Sequence, residues 1–296
     1  MARKFFASWV ASFWVAAAVA GPTPSLCYVP GVGGLKKYAS TELGPELTNR
    51  HVPYILFKVP TNKPIQEISQ SLCRILETEI NLDSEFRCHF FGYSMGGVML
   101  RYAINHLTCT HSQTGVQIPF RQFVASLTTA ATPHRGTPVA DLGNGWGFTG
   151  PEAKQVGEEG IVVFNEPKFE ATYSPLVSEI PTFSFESYIQ DRNEASGTLE
   201  KLGFDYLKKI FRDRGVEVKE ALSDGVVPTA SQGFGAVLGR IRVPHGFFGA
   251  HGGSFFDKNL PDFLKSHWDF LNSEKAGVKY SEVPNFLNAN LLFDLE

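Results

Sequence analysis

The sequence contains no cluster of basic residues and carries little net charge. Its 27 Lys+Arg and 30 Asp+Glu leave −3 over 296 residues. Without a positive face it has no means of tracking a phosphate backbone, so nucleic acid is excluded as a partner. Cysteine is scarce. The four present (Cys27, Cys73, Cys88, Cys109) follow no zinc-binding spacing. No segment recurs at a fixed period, which excludes a repeat array. The apolar stretch Phe5 to Ala20 covers 16 residues, short of the roughly 20 a membrane-crossing helix needs.

Against these shortages stand 43% hydrophobic residues and 25 phenylalanines. That content supports one large domain with a sizeable core and apolar pockets. The apolar stretch follows Arg3 and Lys4 and ends Ala18-Val19-Ala20, the pattern of a secretory signal with an A-x-A cleavage site. We expect residues 1–20 to be a leader and 21–296 the mature domain, secreted or periplasmic. A retained anchor is the rival, and the length argues against it. All four cysteines lie in the mature part, where oxidising conditions permit bridges. Cys27 and Cys88 fall in strand-like runs and read as buried free thiols. One disulfide is permitted, none is required, and the pairing is open.

The stretch most charged with chemistry is Gly92-Tyr93-Ser94-Met95-Gly96-Gly97. An apolar run, Phe86 to Phe91, precedes it, and a helix-like run with Val98, Leu100, Tyr102, Ala103 and Leu107 follows. Strand, G-x-S-x-G, helix is the context of a nucleophile elbow. There the turn is so sharp that only glycine fits two residues to either side, and the serine hydroxyl stands clear of the sheet.

Other segments frame this one. Ser25 to Pro30 and Val52 to Val59 read as strands, the first ending in Gly31-Val32-Gly33-Gly34. Ile65, Ile68, Leu72, Ile75, Leu76 and Ile80 recur at three- and four-residue steps behind Pro64, as in an amphipathic helix. Gln122 to Leu127 and Thr182 to Ile189 read as strands, Leu199 to Phe211 as a helix, Arg240 to Val243 as a last strand and Leu260 to Leu271 as a closing helix. Strands alternating with helices predict an α/β fold: a mostly parallel central sheet with helices on both faces. From Gly143 to about Pro181 the pattern breaks into a glycine- and aromatic-rich insertion, either a lid over a site or a structural excursion.

A serine becomes a nucleophile only when a base takes its proton, and the base needs an acid to orient it. With this elbow the order along the chain is serine, acid, histidine. Asp224, in the turn Ser223-Asp224-Gly225-Val226-Val227-Pro228, is the favoured acid. Asp141 competes, but its Ala-Asp-Leu setting reads as a helix opening, where a carboxylate complements the dipole. Among the histidines, His89 and His134 read as structural, His106 and His111 as solvent-facing, and His267 as helical. His251, in Gly249-Ala250-His251-Gly252-Gly253, is favoured over His245, which stays in contention. The oxyanion hole is expected from the backbone N–H groups of Met95 and Val32.

Taken together, these residues resemble the secreted bacterial lipases of the α/β-hydrolase superfamily. The elbow with its doubled glycine, Arg101-Tyr102 at the family's spacing, and above all Thr132-Pro133-His134-Arg135-Gly136-Thr137 carry the likeness. The order of Phe164-Asn165, the strand at 182–189 and Ser223 to Val227 adds to it. The resemblance implies that Asp224 is the acid and supports His251 over His245. It implies cleavage of carboxylic esters of acyl lipids, without cofactor, and with transient contact to a lipid interface. Triacylglycerol lipase-like activity is the expectation; a short-chain esterase, a thioesterase, a polyester depolymerase and a non-catalytic hydrolase-fold binding protein are its alternatives. The chain departs from the family at Pro30-Gly31, where His-Gly is usual, and at Tyr93, where His is usual. The family's calcium aspartate corresponds to Gly253, so no metal site is carried over.

Overall fold

The computed structural model describes residues 24–31, 42–60, 63–79, 86–111, 113–141, 180–195, 198–215, 222–242 and 254–273. Six strands form one sheet: β1 (Ser25–Val29), β2 (Tyr54–Leu56), β3 (Cys88–Tyr93), β6 (Val124–Ala130), β7 (Thr182–Tyr188) and β8 (Ala236–Arg242). Their order is β2-β1-β3-β6-β7-β8, and every pairing is parallel. A short antiparallel pair, β4 (Thr108–Thr110) with β5 (Gln117–Pro119), lies apart from it. The helices are α1 (Gly44–Asn49), α2 (Ile65–Glu79), α3 (Met95–His106), α4 (Pro138–Asp141), α5 (Thr198–Asp213), α6 (Thr229–Gln232) and α7 (Ser254–Leu271).

A parallel sheet is buried on both sides, because its crossover helices must cover it. Alternation along β1 shows this: Cys27 and Val29 join one cluster, Leu26 and Tyr28 the other. On the first side Phe90 and Leu127 pack with Ile65, Ile68 and Leu72 of α2 and Met99 and Leu100 of α3. On the second, Phe91, Ala130 and Phe185 pack with Leu43, Leu47, Phe204, Leu260, Phe263 and Leu264. Each fully buried phenylalanine is worth about 1.5–3 kcal/mol. All seven residues of β7 are buried, so its polar alternation does not mark a solvated face.

Several readings of the sequence shift in detail. The strand expected over 52–59 is confined to Tyr54–Leu56. The expected last strand begins four residues earlier, at Ala236. Asp141 does not open a helix; it is the last residue of α4. The cysteines are all paired, against the expectation of free thiols at Cys27 and Cys88. Neighbouring β1 and β3 hold Cys27 and Cys88 with Cα atoms 5.9 Å apart, and Cys73 of α2 meets Cys109 of β4 at 5.1 Å. Both separations suit a bridge. Among the described residues no helix is long and apolar enough to cross a membrane. The leader and nearly all of the 143–181 insertion lie outside the described residues.

Candidate active site

In a parallel sheet the carboxyl ends of all strands open on one edge, the usual place for ligands. β3 ends there in Ser94, whose backbone sits at φ 51° and ψ −127°. L side chains rarely adopt a positive φ, and holding one there costs about 1–3 kcal/mol. The packing that enforces it is close. A Cβ on Gly92 would come within 2.7 Å of the Gly97 backbone, and one on Gly96 within 2.3 Å of the Val29 carbonyl oxygen. These two glycines, two residues either side of Ser94, therefore cannot be replaced without moving strand from helix. The Ser94 N–H donates to Ala130 O at 2.8 Å, fixing the turn to β6.

The end of β1 closes over the serine. A Cβ on Gly31 would lie 2.7 Å from Ser94 Cβ and 3.1 Å from its Oγ. The loop in which Val32 was expected to supply an N–H thus begins directly against Ser94. Met95 opens α3, and a first-turn N–H has no acceptor within its own helix. Val32 itself, His245 and His251 lie outside the described residues.

Asp224 is half-buried in the turn between α5 and α6. Gly225 takes φ 90° to make that turn. Its Oδ1 accepts from the N–H groups of Val226 (2.9 Å) and Val227 (2.7 Å), and its Oδ2 from the Ser187 hydroxyl (3.0 Å). Burial raises the carboxyl to about 6; the amides of Val227 and Val226 and the Ser187 hydroxyl oppose this, while the charge of Glu200 adds to it. The Tyr93 phenol, next to Ser94, is pushed up first by burial and then by the charge of Asp224. Asp224 thus lies within electrostatic reach of the residue that precedes Ser94.

The most specific stretch of the sequence, Thr132 to Thr137, ties elbow and acid together. A Cβ on Gly97 would lie 2.3 Å from Thr132 Oγ1. Arg101, buried in α3, donates to His134 O at 2.9 Å and lies 3.0 Å from His134 Nδ1, while His134 Nε2 meets Thr129 Oγ1 at 2.9 Å. Burial holds the His134 imidazole well below its ordinary pKa, helped by the charges of Arg101 and Arg135. A neutral ring can accept from Arg101, which a protonated one cannot. On the other side His134 N–H donates to Ser231 O at 2.9 Å, Arg135 N–H to Ser231 Oγ at 2.9 Å, and Thr137 Oγ1 to Val226 O. One loop therefore fastens the helix behind Ser94 to the turn that carries Asp224.

His89, His106 and His267 match their sequence readings, while His111, expected to face solvent, does not fully do so. His89 bonds Ser126 Oγ at 2.8 Å and His267 bonds Thr128 Oγ1 at 2.7 Å, both buried. His106 is exposed, and His111 is half-buried, capping its own loop through Gln113 and Thr114. Sequence reasoning missed Ser187 and Gln232, which support Asp224 from β7 and α6. Neither carries a local signal, because both reach the acid only through tertiary docking.

No protein-family model matches the sequence, and no curated protein matches it. Solved structures do. A Bacillus licheniformis lipase in mature form is 18% identical, with 82% of this chain and 91% of that one covered, at TM-score 0.57. A Staphylococcus hyicus lipase is 16% identical, with 84% and 95% covered, at TM-score 0.60. A metagenomic carboxyl esterase is 17% identical, with 75% and 64% covered, at TM-score 0.54. At such identities the likeness is one of fold. With its parallel sheet and a serine on the sharp turn after β3, the chain has the α/β-hydrolase fold of these bacterial lipases.

Proposed function

We propose that the protein is an exported serine hydrolase that cleaves carboxylic esters of acyl lipids. Ser94 Oγ attacks the ester carbonyl and its proton passes to His251, whose imidazole Asp224 orients. The N–H groups of Met95 and Val32 hold the oxyanion of the tetrahedral intermediate. Its collapse breaks the ester C–O bond, and the proton on His251 leaves with the alcohol. Water, deprotonated by the same imidazole, then releases the acid from the acyl-enzyme and returns the proton to Ser94. The observation that carries this reading is the strained positive-φ backbone of Ser94, with Gly31 packed against its hydroxyl. Fold neighbours named as lipases and a carboxyl esterase support it.

Export of a mature chain 21–296 is supported by two disulfides, which persist in oxidising compartments. We assign residues 143–181 to a lid: they connect α4 to β7, directly after the loop that fastens elbow to acid. Ser94→Ala should fold normally, hydrolyse p-nitrophenyl esters at a small fraction of the wild-type rate and take up no fluorophosphonate probe. Wild-type turnover in that variant would overturn the assignment. Rates on butyrate against long-chain esters identify the acyl class, and a jump in rate at an oil–water interface tests the lid.

A further inference from the structure

The two oxygens of Asp224 are held differently. Oδ1 is fixed by amides of its own turn, Val226 and Val227, as an aspartate in a tight turn often is. The donors to Oδ2 come from elsewhere: Ser187 Oγ on β7 at 3.0 Å and Gln232 Nε2 on α6 at 3.4 Å.

Gln232 is completely buried, and both ends of its amide are occupied. Nε2 donates to Ser187 O at 3.0 Å and Val227 O at 2.9 Å; Oε1 accepts from Ser187 N–H at 2.6 Å. One side chain therefore locks the end of β7 to the acid turn. It also offers the Ser187 hydroxyl a second acceptor, since Gln232 Oε1 lies 3.1 Å from Ser187 Oγ. The hydroxyl has one proton and two acceptors within reach. An ionised carboxylate is the stronger acceptor, so the proton points to Oδ2 while Asp224 is charged. It turns to Gln232 Oε1 when Asp224 is neutral. The bond thus favours the charged form alone.

We propose that Ser187, held by Gln232, is a positioning residue for the catalytic acid: its hydroxyl keeps Asp224 ionised and aims Oδ2. This rests on the Ser94–His251–Asp224 reading above. Besides the His251 imidazole of that reading, the ionisable groups coupled to Asp224 among the described residues are Glu200 of α5, whose charge opposes ionisation, and Tyr93 at the end of β3, which burial keeps neutral. Neither stabilises the carboxylate's charge, so the hydroxyl's contribution is not duplicated by them.

The test is a double-mutant cycle between Ser187→Ala and Asp224→Asn, with Ser187→Thr as the conservative variant, read as kcat and KM on a soluble p-nitrophenyl ester across pH. Ser187→Ala should lower kcat about tenfold with KM little changed, the loss expected of one hydrogen bond to a charged group. The acidic limb of its profile should move toward neutral pH. Ser187→Thr, which keeps a hydroxyl, should restore most of the rate. In the Asp224→Asn background Ser187→Ala should change kcat by less than about twofold, because its effect runs through the carboxylate. An unmoved acidic limb, or losses that multiply in the double variant, overturns the proposal. Full activity in Asp224→Asn alone would instead overturn the triad reading beneath it. A thermal melt of each variant separates a folding defect from a catalytic one.

Discussion

Asp224→Asn should strengthen the fold while crippling the enzyme. The carboxyl protonates at about 6 in the folded protein against 3.8 unperturbed, mainly because burial strips water from its charge. A group whose pKa is raised on folding stabilises fully below its unfolded value and loses that stabilisation as pH rises through its folded value. The wild type therefore bears a penalty of about 3 kcal/mol at pH 8, and about 0.5 kcal/mol at pH 4. Asparagine has the neutral shape at every pH. Its Oδ1 can still accept from Val226 and Val227, and its amide can donate to Ser187 Oγ. The gap between variant and wild type should thus open from about 0.5 kcal/mol at pH 4 to about 3 kcal/mol at pH 8, roughly 6–10 °C in melting temperature. Urea titrations of both proteins at the two pH values measure it, and turnover of a soluble ester should fall by ~10⁴ in the same preparation. A gap independent of pH, or one favouring the wild type at pH 8, would refute the claim that a desolvated charge sits at Asp224.

Other outcomes can be checked alongside. Gly31→Ala would push a methyl to 2.7 Å from Ser94 Cβ, so ester turnover should collapse, with a melting temperature close to wild type if the loop yields rather than the sheet. Removing either disulfide by paired Cys→Ser changes opens a loop of 61 or 36 residues; each should cost about 4 kcal/mol by chain entropy, read by urea unfolding against the oxidised protein. His267, caged by Phe91, Phe185, Phe263 and Phe270, is held down to about 3, chiefly by burial. With its folded pKa depressed, its stabilisation is complete above pH 6.5 and is lost as pH falls toward 3, about 2 kcal/mol by pH 5. His267→Gln should flatten that acid loss; an unchanged pH dependence would show the ring is not buried as a neutral group.

What the sequence revealed divides along a physical line. The elbow was legible because strand, turn and helix are contiguous there, and sterics at Gly92 and Gly96 leave few alternatives. The three- and four-residue spacing from Ile65 likewise forces one face of α2 inward. The turn at Asp224 could be found because Gly225 marks the bend. The disulfides could not be, since bringing Cys27 beside Cys88 depends on β1 and β3 being neighbours across 61 residues. Three-residue strands such as Thr108–Thr110 carry too little alternation to register. Asp141 was misread because Ala-Asp-Leu suits either end of a helix, and only the packing of α4 decides. Ser187 and Gln232 look ordinary in sequence; their meaning arises when β7 and α6 dock on the acid turn.

The sheet order has a consequence for synthesis. The strands that meet at Ser94, β1, β3 and β6, are encoded in the first 130 residues, whereas Asp224 and His251 leave the ribosome far later. Because Phe91 of β3 packs on Phe263 and His267 of the last helix, a chain truncated before its last third lacks the cover of one side of the sheet as well as the proposed acid and base. Such fragments should be inert, a safeguard for a cell whose own membranes are made of acyl esters.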